Sequence, residues 1–136
     1  MALRRAARRI SEMYDEALST TGLRATQFAI LATLSASDGM SVNELADQLD
    51  LDRTTTGKNL RPLERDGLVA VAVSPTDRRS RVIALTASGW KRVGEAFPLW
   101  AQAQLHFEAA NGRRKARNLR EELGELRIDS KQLQSA

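Results

Sequence analysis

The apolar positions near the start of the chain, Leu3, Ala6, Ala7, Ile10, Met13, Tyr14, Ala17 and Leu18, follow the i, i+3, i+4, i+7 spacing of one helical face. Arginines and acids occupy the other face, so the pattern predicts an amphipathic helix that stops at Thr20-Thr21-Gly22. Phe28, Ala29, Ile30, Leu31, Ala32 and Leu34 follow in a denser run. Apolar on most sides, this run predicts a buried central helix, ended by Ser37-Asp38-Gly39. Ser41-Val42-Asn43-Glu44 has capping-box form and opens a short helix to about Leu49, with Val42, Leu45, Ala46 and Leu49 inward.

After the turn Asp50-Leu51-Asp52, Asp52 is placed to cap a helix from about Arg53 to Asp66, and Gly67 to end it in a left-handed cap. The β-branched run Leu68 to Val73, the turn Ser74-Pro75-Thr76-Asp77 and the alternating Arg81 to Leu85 predict a hairpin. Thr86 caps a long helix through Trp90, Val93, Phe97 and Trp100 to about Phe107, and Pro98 within it predicts a bend near Gly94–Pro98. Beyond Asn111-Gly112, Ala116, Leu119, Leu123 and Leu126 form a 3-4-3 seam of the kind one helix offers another.

Composition narrows the class. At 136 residues, one domain is expected. With 42% hydrophobic and 28% charged residues, eight glycines and three prolines, the chain is neither collagen-like, mucin-like nor wholly disordered. No apolar run approaches the roughly 18 residues of a membrane span. The basic start Met1-Ala2-Leu3-Arg4-Arg5 lacks the apolar core of a signal peptide. The absence of cysteine excludes disulfides, thiolate metal sites and thiol redox sensing, and the expected location is the cytoplasm. His106 is the single histidine, and no phosphate loop or nucleophile elbow accompanies it. The expectation is no catalytic residue, no metal, no cofactor and no enzyme activity.

Charge is unevenly spread. From Leu51 to Arg92 there are nine basic and four acidic residues, while the rest of the chain carries a net charge of −1. All the excess positive charge lies in one segment, as expected if it faces a polyanion. At about 100° per residue, Thr56, Leu60 and Leu63 share one side of the capped helix. Thr54, Lys58, Arg61 and Arg65 form a stripe on the other, suited to the major groove. Gly57 within this helix fits either a close approach to DNA or tight helix packing. The hairpin tip Asp77-Arg78-Arg79-Ser80-Arg81 places arginines where a minor groove attracts them. Asp77 is positioned either to hold one of them by a charge-assisted bond or to stabilise the turn.

The order helix, helix, short helix, turn, helix, hairpin, helix, helix, with room for a short strand before the third helix, is mainly α with a minor α+β component. It describes a winged helix-turn-helix lobe, residues 41–86, within a single domain 1–136. Three stretches of sequence sharpen this: Val42-Asn43-Glu44-Leu45-Ala46 with Leu49; Asp52-Arg53-Thr54-Thr55-Thr56; and Leu63-Glu64-Arg65-Asp66-Gly67-Leu68-Val69. With the wing sequence Asp77-Arg78-Arg79 leading to Leu85-Thr86 and Gly89, the chain resembles the MarR family of transcriptional regulators. The resemblance implies a homodimer built from residues 1–20 and 87–136, bound to a near-palindromic double-stranded DNA operator. It also implies a repressor released by a small, often aromatic effector. By the same resemblance, Arg53, Thr54, Thr55, Lys58 and Asn59 would fall at recognition-helix contact positions and Arg79 at the wing arginine; Arg61, Arg65, Asp77, Arg78 and Arg81 complete the candidate DNA surface. The sequence departs from the family pattern at Thr56, where an apolar residue is usual, at Asp50, where glycine is common, and at Pro62 inside the recognition helix.

Met13, Tyr14, Trp90 and Phe97, with Trp100 nearby, are candidates either for an effector pocket or for core and dimer interface. Arg113-Arg114-Lys115-Ala116-Arg117 opens the last helix with charge that opposes the helix dipole, leaving a solvated start or a partner or DNA-backbone contact. A second function class is a winged-helix interaction module that applies its basic face to an acidic protein. The stripe beside an arginine-tipped hairpin favours DNA.

Overall fold

The computed structural model describes residues 1–126. Six α-helices and two strands follow one another among these residues, apart from a single 3-10 turn at Ser19–Thr21. They are α1 (Ala2–Ala17), α2 (Ala25–Ser35), α3 (Val42–Leu49), α4 (Arg53–Arg65), β1 (Val69–Val73), β2 (Arg81–Leu85), α5 (Ala87–Asn111) and α6 (Arg113–Glu125), so the α-helices number six. The part of the expected dimerisation region beyond residue 126 lies outside the described residues. The chain forms two compact units, Met1–Ala101 and Gln102 onward.

In the first unit the core gathers around α2. Phe28, Ile30, Leu31 and Leu34 are all buried, as an apolar pattern on most sides requires. Leu18, Leu23, Leu45, Leu60, Leu63, Leu68, Val69, Ile83, Val93 and Ala96 close over it. Burying each of the larger side chains contributes roughly 1.5–3 kcal/mol. The hairpin pairs Val69 with Leu85 through to Val73 with Arg81, antiparallel. The short strand anticipated before α3 is reduced to one bridge, Met40 against Ile83, whose amides and carbonyls exchange bonds of 3.0 and 2.8 Å. One paired residue satisfies the loop backbone there, so no longer strand is needed.

The caps are those the sequence dictates, with one difference. Ser41 Oγ accepts the Glu44 amide at 3.1 Å, but of the two reciprocal bonds of a capping box this is the one that forms. Gly67, at φ 74°, ends α4 in the left-handed region, where a side chain would be strained. Thr86 Oγ1 accepts the Gly89 amide at 3.0 Å and donates to the Gly67 carbonyl at 2.6 Å, tying the start of α5 to the end of α4. Helices α4 and α5 run unbroken through Pro62 and Pro98.

The N-terminal half of α1 finds no cover among the described residues: Leu3 is 62% exposed. Trp90 and Phe97 on α5 are also open, at 49% and 39%. In the second unit, Ala116 is buried while Leu119, Leu123 and Leu126 remain exposed. Arg120 pairs there with Glu108, beside a groove also lined by Arg113, Arg117 and Glu121.

Candidate nucleic-acid interface

Helix α4 is aimed by its own first turn. Asp50 adopts φ 54°, the single left-handed non-glycine residue among those described, and reverses the chain between α3 and α4. Aspartate tolerates this conformation because its short side chain can bond locally. Asp52 then caps α4, accepting the Thr55 amide at 2.6 Å and the Thr55 hydroxyl at 2.9 Å. Those two bonds, the amide first, hold the Asp52 carboxyl below the usual carboxylate range.

The two faces of α4 separate as helical geometry requires. Thr56, Leu60 and Leu63 are buried, and Thr54, Lys58, Arg61 and Arg65 are exposed. Thr56 stands in a core position without an unmet hydroxyl, because its Oγ1 donates to the Asp52 carbonyl at 2.9 Å.

The candidates on α4 are not equally free. Thr55 is engaged by Asp52, Asn59 Nδ2 donates to the Thr55 carbonyl at 3.1 Å, and Arg65 Nε lies 3.3 Å from Asp66 Oδ1. Among the described residues, Arg53, Lys58 and Arg61 form no ion pair. A methyl group built on Gly57 would meet nothing within 4 Å, so tight packing inside the chain does not account for this glycine.

At the wing, the Asp77 carboxylate accepts the Arg79 backbone amide at 3.0 Å and the Ser80 hydroxyl at 3.2 Å. It therefore stabilises the turn; the charge-assisted bond to an arginine side chain does not form. Ser74 Oγ accepts the Thr76 amide at 3.3 Å and the Asp77 amide at 3.4 Å, fixing the other side of the tip. Arg78 and Arg79 are left exposed at the turn, with Arg81 at the foot of β2 opposite Val73. The site thus combines a rigidly capped helix carrying open cations with a rigidly bonded turn carrying two more. Such a surface offers charge and hydrogen-bond donors to a polyanion but no nucleophile or acid–base pair.

The family model described as MarR family matches residues 21–80. A solved structure of the M. tuberculosis regulator MosR in complex with DNA is 39% identical, with a TM-score of 0.76 over 92% of this chain and 96% of that one. The chain belongs to the MarR family. The structure of the transcriptional repressor CouR on a 23-mer DNA duplex is 31% identical to this MarR-family chain, with a TM-score of 0.83, and the match covers 90% of this chain and 87% of CouR. The transcriptional activatory protein BadR of Rhodopseudomonas palustris is 41% identical over 76 residues, 54% of this chain. The chain spans less than half the length of the curated relatives it matches, 43% in the case of BadR.

The aromatic candidates divide. Tyr14 stacks near Trp100, their ring centroids 6.5 Å apart, and both line a cavity of about 370 Å³ with Ala25, Phe28, Ala29, Ala32 and Thr33. Met13, Trp90 and Phe97 do not line it, although Phe97 meets Phe28 edge to face at 5.2 Å. Phe28 was legible in the sequence only as a core residue, because a dense apolar helix hides which of its members faces a cavity. No helix of the described residues is long and apolar enough to cross a membrane.

Proposed function

We propose that this MarR-family chain is a homodimeric, sequence-specific DNA-binding transcriptional regulator, acting as a repressor. Helix α4 enters the major groove with Thr54, Lys58 and Arg61, and the wing reaches the minor groove through Arg79. The observation that carries the reading is the exposed stripe on α4, whose Lys58 and Arg61 form no ion pair among the described residues, beside a wing whose arginines are presented by an Asp77-bonded turn. That MosR and CouR are solved on DNA supports it. CouR is named a repressor and BadR an activatory protein, so relatives of this chain regulate with either sign.

Residues 1–20 and 87–136 serve as the dimerisation region. The exposed apolar side chains of Leu3, Trp90 and Phe97 in the first unit, and of Leu119 and Leu123 in the second, support this, since a two-turn amphipathic stretch such as the start of α1 is marginal without cover. A small, flat, apolar effector would occupy the cavity beside Tyr14 and Trp100.

Fluorescence anisotropy of the purified protein on DNA from upstream of its own gene, against random DNA, at about 50 and 200 mM salt, tests the reading. A preferred near-palindromic fragment is the expected result. Equal, weak binding that vanishes with salt would instead leave a basic surface for an acidic protein partner.

A further inference from the structure

Gly57 is the one position of the α4 stripe region that the fold does not explain. Glycine inside a helix destabilises it, and a side chain there would enter open space. At about 100° per residue, Gly57 lies roughly 60° around the helix from Thr54 and 40° from Arg61. Arg53, Thr54, Lys58 and Arg61, all exposed, surround it and leave a notch in the basic face. As a mid-helix residue, Gly57 has its amide and carbonyl committed to α4, so it presents only its CH2 outward. A floor of that kind offers no hydrogen bond. It fits an apolar projection on a base edge, and the major groove offers one, the C5-methyl of thymine. The Thr54 methyl beside the notch extends the same apolar surface.

We infer that Gly57 is the point of closest approach of α4 to DNA and selects a thymine by admitting its methyl group. The inference rests on the DNA-binding reading and adds to it a base-reading role for a residue without a side chain.

The test uses a duplex that the full-length wild-type protein selects from a random-sequence pool. Each thymine is replaced singly by uracil, which removes the methyl and leaves the base-pairing edge intact. Wild type and Gly57→Ala are titrated onto the series by anisotropy, with thermal unfolding measured alongside. Gly57→Ala is expected to unfold no earlier than wild type and to bind the selected duplex about tenfold or more weakly. One uracil per half-site should restore most of that loss, and the same replacement should weaken the wild type. Wild-type-like binding by Gly57→Ala, or earlier unfolding, would overturn the inference while leaving DNA binding intact. So would a loss of the same size on every uracil duplex and on unselected DNA, which would place the sugar-phosphate backbone at Gly57. A pool with no enriched sequence would be seen with wild type alone, and would overturn the specific-binding reading together with this one.

Discussion

A methyl group placed on Gly89 would lie 2.0 Å from the Leu68 carbonyl oxygen, 3.1 Å from its carbonyl carbon and 3.3 Å from Leu85 Cδ2. The obstruction is backbone, and that oxygen already accepts the Thr86 amide at 3.1 Å. Alanine at this position therefore cannot be accommodated by a side-chain rotation. The start of α5 must move away by more than 1 Å, which stretches the Thr86 bonds to Gly67 and Gly89. Overpacking of this kind costs about 1–3 kcal/mol or more, and each weakened hydrogen bond about 1 kcal/mol. The higher helix propensity of alanine returns about 1 kcal/mol. The net expectation for Gly89→Ala is a loss of about 2–4 kcal/mol, or a fall in Tm of roughly 8–16 °C for a chain of this size. Thermal unfolding by circular dichroism at one fixed protomer concentration measures it, because association would otherwise shift the midpoint. Gly57→Ala, with open space at its Cβ, is the internal control and should gain up to about 1 kcal/mol in the absence of DNA. A Gly89→Ala midpoint within about 1 °C of wild type would refute the close approach of α5 to the Leu68 carbonyl.

Further outcomes are expected at the interface. Arg79→Ala should weaken operator binding by about 1–3 kcal/mol in anisotropy titrations while leaving unfolding unchanged. Asp77→Ala gives a sharper check: removing a negative charge beside DNA would by charge alone tighten binding, whereas loss of the bonds to Arg79 N and Ser80 Oγ should weaken it. Thr56→Val should change stability by no more than about 1 kcal/mol, since the Asp52 carbonyl keeps its bond from the residue 56 amide and the new methyl is buried. Because the folded Asp52 carboxyl is held below its ordinary value, its contribution is complete above the unfolded value of about 4 and is lost as pH falls through the folded one. Urea midpoints at about pH 3 and pH 6 should accordingly differ less in Asp52→Asn than in wild type.

The helices, caps and turns of this protein are legible in its sequence, because each rests on contacts a few residues long. The Asp52 cap, the left-handed Gly67, the Thr86 cap and the separation of Thr56, Leu60 and Leu63 from Thr54, Lys58 and Arg61 all follow from local geometry. The wing residues were legible for the same reason, but the bond made by Asp77 was not. Which of several nearby donors reaches a carboxylate depends on the turn's dihedral angles, and the pattern of residue types leaves those open. Tertiary structure alone decided what distant segments do to one another. It reduced a strand to the Met40–Ile83 bridge and brought Tyr14, Phe28 and Trp100 around one cavity while leaving Met13, Trp90 and Phe97 off it. It also separated two helical glycines that look alike in sequence: Gly89 lies against the Leu68 carbonyl, and Gly57 faces open space. Periodicity reports which side of a helix is apolar; only the packed chain decides which atoms stand against it.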